Sequence, residues 1–84
     1  MPVLRRVRLT LAHKPTGNTL HVGIPVPSEL RIVSDDGQPG YLLLYCDQSG
    51  DEMTDSWHGT MDDALHQAEF EFTVRPDDWE ILGL

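Results

Sequence analysis

A second cysteine, a long apolar run and, Arg75 apart, any lysine or arginine beyond residue 34 are what this 84-residue chain lacks. Cys46 has no partner in its own chain, so an internal disulfide is excluded, and within an apolar segment the thiol acts as a small hydrophobe. That usage fits a reducing compartment, and the cytoplasm is the expected location. Crossing a bilayer takes about 20 consecutive apolar residues, and no segment approaches this, so no membrane association is expected. Arg5, Arg6 and Arg8 are not followed by the uninterrupted apolar stretch of a secretory signal. Repeats, low-complexity segments and a glycine-rich phosphate loop are missing as well.

Chemical motifs are equally sparse. The histidines His13, His21, His58 and His66 show none of the spacings that hold a metal ion. Asp47, Asp51 and Glu52 do not match the oxygen-ligand loop that binds calcium. Ser49 and Ser56 lie outside a nucleophile elbow, and Cys46 has no basic neighbour to lower its pKa. No metal or cofactor is expected, and an enzyme is the less expected class. Asp55 with His58 is the one pair with acid-base or metal-binding character.

The charge is distributed unevenly. Residues 1–34 carry Arg5, Arg6, Arg8, Lys14 and Arg31 against Glu29, whereas residues 35–84 carry thirteen carboxylates against Arg75. A segment so acidic repels phosphate and favours cationic partners or solvent, so nucleic-acid binding is not expected.

A chain this short forms one domain, which buries only about 60–65 % of its unfolded surface. Val3 to Leu11 alternates as a half-buried strand, with Val7, Leu9 and Leu11 on the apolar side. The turn-forming segment Lys14 to Asn18 then predicts a hairpin to Leu20, Val22, Ile24 and Val26. Pro25 and Pro27 place that strand at an edge. Leu30 to Val33 reads as a brief strand. Tyr41 to Cys46 is apolar on both parities, as in a central strand. After the turn Asp47 to Gly50, Glu52 to His58 returns with Met53 and Trp57 on one face, and Asp55 shares their parity.

Thr60 has the chemistry of an N-cap, and Asp62 and Asp63 suit the positive end of the helix dipole. A helix is predicted from Thr60 to Val74, with Met61, Ala64, Leu65, Ala68 and Phe72 on one stripe. Phe70 falls on the opposite side. Either the tail residues Trp79, Ile81 and Leu82 cover it with Val74, or Phe70, Val74 and Trp79 form an exposed patch rimmed by Arg75.

These features predict a two-layer α+β fold: two hairpins in a mainly antiparallel sheet of four to five strands, one helix packed on it, and a segment clamped by Trp79. The expected core is Val7, Leu9, Leu20, Val22, Leu43, Leu44, Met53, Trp57, Ala64, Leu65, Ala68 and Phe72. The string Thr54-Asp55-Ser56-Trp57-His58, followed by Ala64, Gln67-Ala68-Glu69 and Phe70-Glu71-Phe72, resembles a pattern in short uncharacterised bacterial proteins. Size and acidity are also similar to those of toxin-neutralising immunity proteins, a likeness that implies protein binding and transfers no site residues.

The expected role is therefore a protein-binding module, immunity or inhibitor-like. Asp62, Asp63, His66, Glu69, Phe70, Val74 and Trp79 would contact a basic protein partner. A small metal-dependent or acid-base enzyme centred on Asp55 and His58 is one alternative, and a self-associating domain forming a homodimer is another.

Overall fold

The structure, a computed structural model, describes residues 3–10, 13, 25–35 and 37–82. Its strands are β1 (Val3–Arg8), β2 (Glu29–Ser34), β3 (Tyr41–Cys46), β4 (Glu52–His58) and β5 (Glu80–Ile81), followed in packing by the helix α1 (Met61–Phe72). The strands form one antiparallel sheet in the order β4-β3-β2-β1-β5. The helix lies across β3 and β4. This is the expected α+β architecture, with five strands among the described residues.

The doubly apolar segment Tyr41–Cys46 pairs on both sides, with β2 and with β4. Tyr41, Leu43 and Tyr45 point to the helix, where they meet Leu30, Ile32, Val7, Ala64, Ala68 and Phe72 in the main core. Ala64 and Ala68 present only methyl groups, so the helix backbone approaches the sheet closely. Leu44 and Cys46 join Val33 in a smaller cluster on the opposite face, with Leu42 and Val3 packed at its margin.

The N-terminal half differs from its expected pairing. Among the described residues the neighbours of β1 are β2 and β5, so the strand that follows it in the chain and pairs with it is Glu29–Ser34. The predicted turn at 14–18, and Leu20, Val22 and Ile24, lie outside the described residues. Pro25 to Pro27 is not strand, and Val26 is 61 % exposed. Two prolines without amide donors cannot contribute to a ladder, whereas the five residues from Leu30 to Ser34 all can. The brief strand expected at Leu30 to Val33 is therefore a central one, with Leu30 and Ile32 fully buried.

Glu29 is also buried, because Arg31 and Arg8 hold its carboxylate, Arg8 at 3.4 Å. Two exposed-looking charges on a strand thus form an internal pair. Its partner Glu29, mainly through their hydrogen bond, raises the pKa of Arg31.

Thr60 accepts a hydrogen bond from the Asp63 amide at 3.1 Å and starts the helix. The helix ends at Phe72, short of the predicted Val74. Thr73 adopts φ 60°, and its amide donates to the Glu69 carbonyl at 2.9 Å, so a left-handed residue stops the helix before Pro76 can. The chain then makes a 3-10 turn at Pro76–Asp78, held by the Arg75 amide donating to Asp78 Oδ2 at 2.9 Å. That turn returns Trp79 to the core and delivers β5 to β1, where Glu80 pairs with Arg6 at 2.7 Å. The expected clamp by Trp79 is present.

Cys46 is fully buried, and burial pushes its thiol pKa up. It should resist a thiol reagent at mildly alkaline pH in the folded protein and react completely in denaturant. Stoichiometric labelling of the native protein would contradict this placement.

Candidate functional site

The parity of β4 decides which residues can act together. Thr54, Ser56 and His58 pair with Tyr45, Leu43 and Tyr41 and so face the helix, while Asp55 and Trp57 pair with Leu44 and Leu42 on the other side. Asp55 and His58 therefore sit on opposite faces of one strand and do not form the pair their spacing suggested. Asp55 instead hydrogen-bonds Glu52, and that contact, with some burial, raises the Glu52 carboxyl pKa. Trp57, expected in the core, is 56 % exposed, and Met53 is only half-buried at a β-bulge. Both lie on the face that the helix does not cover.

On the covered face, polar groups form a connected chain. His58 Nε2 lies 2.7 Å from Ser56 Oγ, which is 3.4 Å from the Tyr45 hydroxyl. The Tyr45 hydroxyl donates to Glu71 Oε2. Glu71 is 1 % exposed, although its sequence neighbours are acidic surface residues. Burial, reinforced by Glu71, pushes the Tyr45 phenol pKa well up. Burial also lowers the His58 pKa, against smaller opposing effects of Asp63 and Glu71, which favours a neutral ring at physiological pH.

His58 marks the wall of a surface groove of about 600 Å³ between the end of β4 and the helix. Trp57 and Phe70 line it with His58, Asp63, His66 and Gln67. Phe70 is 55 % exposed, so the tail does not cover it. Val74 and Trp79, expected beside it in a surface patch, are instead buried in the main core. The exposed aromatic neighbour of Phe70 along the groove is Trp57, which the alternation had assigned to the interior.

The indole of Trp57 is held in place. Its Nε1–H donates to the Pro39 carbonyl at 3.3 Å, and its ring lies directly over Gly40. Gly40 has φ 109°, and a Cβ there would come within 2.5 Å of the indole. The groove is thus walled by an aromatic ring fixed from behind.

Its electrostatics are one-sided. From Tyr41 to Val74 the chain contains no lysine or arginine but has carboxylates at positions 47, 51, 52, 55, 62, 63, 69 and 71. Asp55, Asp62, Asp63 and Glu69 are exposed. Of the expected partner-binding residues, Asp63, His66 and Phe70 line the groove and Asp62 and Glu69 flank it along the helix. A second cleft, at β1 and β5, is lined by charges that already pair: Arg6 with Glu80, Arg8 with Glu29, and His13 with Asp78 at 3.1 Å. Among the described residues no group of three or more metal-ligating side chains occurs, and no helix is long and apolar enough to cross a membrane. No protein-family model, curated protein or solved structure matches this chain.

Proposed function

We propose that this domain is a protein-binding module whose acidic side, formed by β4 and α1 and centred on Trp57 and Phe70, takes a basic protein partner. The observation that carries the reading is the coincidence of two exposed aromatic rings with a strand and helix that contain carboxylates but no lysine or arginine. Exposed carboxylates attract and orient a cationic partner, and aromatic faces add contact area and cation–π attraction once it has docked. An immunity or inhibitor-like role would use such a surface to cover a basic site on the partner.

The charge contribution is separable from folding, because Asp62, Asp63 and Glu69 are exposed on the helix. Glu71 is excluded from this set by its burial. Changing all three to lysine should weaken binding of lysine- and arginine-rich probe peptides about 10- to 100-fold at low salt, chiefly through slower association, and should flatten the salt dependence. Fluorescence anisotropy across a salt series measures both. Unchanged affinity in the triple variant would refute the reading.

A further inference from the structure

The geometry points to an extended basic segment of the partner as the occupant of this site, added to the outer edge of β4 as a sixth strand; this rests on the protein-binding reading above. β4 stands last in the sheet, with β3 its one strand neighbour among the described residues. A terminal strand offers backbone donors and acceptors to an incoming chain, and such pairing gives affinity while alternate side chains give specificity. The bulge at Met53 interrupts one end of this edge, so the regular portion runs from Thr54 to His58. The groove opens beside that portion.

Side chains of an added strand would alternate between two surfaces. Those on the helix side enter the groove between His58 and Phe70, near Asp63. Those on the other side meet Asp55 and the face of Trp57, the side on which Glu52 also lies. Both surfaces carry carboxylate and an aromatic ring, so lysine or arginine suits either position. Gln67 also lines the groove, where an extended chain would lie beside it.

The same charges argue against a second copy as the occupant. Antiparallel pairing of β4 with another β4 would bring the Asp55 and Glu52 carboxylates of two molecules together, and like charges directly opposite destabilise a sheet. A basic strand relieves that repulsion.

The test uses a blocked seven-residue peptide alternating valine with arginine or lysine, and two versions of it, each N-methylated on one alternate set of amides. Titrated into ¹⁵N-labelled protein, the parent peptide should shift signals of Thr54 to His58, the Gln67 side-chain amide and the groove. One methylated version should lose roughly tenfold or more in affinity while the other retains it, because only one set of amides faces β4. Phe70→Ala and Trp57→Ala should each weaken the parent about 2- to 5-fold.

Equal binding by all three peptides, with weakening in the lysine triple variant, would overturn strand addition and leave the basic-partner reading intact. No binding by any basic peptide would overturn both. A protein that sediments as a dimer and is split by the peptide would make the second copy the occupant instead and overturn the assignment to a partner.

Discussion

Gly40→Ala is expected to lower folding stability by about 2–4 kcal/mol, combining backbone strain at positive φ with an overpacked contact. The φ of 109° is one that side-chain-bearing residues rarely adopt, and the new methyl would sit 2.5 Å from the indole of Trp57. Neither the strand β3 that starts at the next residue nor the rigid indole gives way easily, so the ring must leave the groove wall. Gly37→Ala provides the control. Gly37 has φ 71°, but a Cβ there meets nothing within 4 Å, so that variant carries strain without a clash. Denaturant unfolding of both variants separates the two contributions. The Trp57 indole N–H resonance reports the ring directly: it should move in Gly40→Ala and stay in Gly37→Ala. Equal stability losses and an unmoved indole would show that the ring does not depend on Gly40.

The doubly apolar Tyr41–Cys46 and the capped stripe of α1 rest on local rules, and both form the elements those rules predict, the helix ending two residues early. Pairing in the N-terminal half is nonlocal. There the alternation up to Val26 was a stronger pattern than Glu29–Ser34, whose charged Glu29 and Arg31 disguised a strand that is central. The disguise is physical: the two charges neutralise each other within the fold, and no hydropathy pattern records a pairing.

Trp57 was misplaced for a related reason. The alternation correctly put Met53, Asp55 and Trp57 on one face, but took the apolar pair to mark the interior. The interior face of β4 is the polar one, since the Tyr45 hydroxyl, itself held by Glu71, lies beside Ser56, which in turn meets His58. Asp55, anomalous among those apolar residues, was the available sign that this face is the outer one. Phe70 was recognised as exposed-side material, yet its groove-mate could not be Trp79, because the 3-10 turn carries Trp79 inward. The candidate surface was therefore half readable: its charge and one aromatic came from composition and helical period, the other aromatic only from knowing which side the helix covers.

The buried end of that polar chain governs stability at both neutral and alkaline pH. Tyr45→Phe removes the hydroxyl that donates to Glu71, a carboxylate 1 % exposed, and should cost about 1–3 kcal/mol near neutrality. The phenol pKa is raised in the folded state by burial and by Glu71. A raised value means that the folded protein keeps this proton when the unfolded chain begins to lose it. The stabilising contribution is thus complete below the ordinary tyrosine pKa of about 10 and is lost progressively as pH rises above it, at up to about 1.4 kcal/mol per pH unit. Phenylalanine has no proton to lose. The stability gap between wild type and Tyr45→Phe should therefore be constant through neutral pH and close above about pH 10, as the unfolded tyrosine ionises. Urea titrations across this range test it, and two curves that stay parallel into strong alkali would mean that Tyr45 is not the group whose burial resists ionisation.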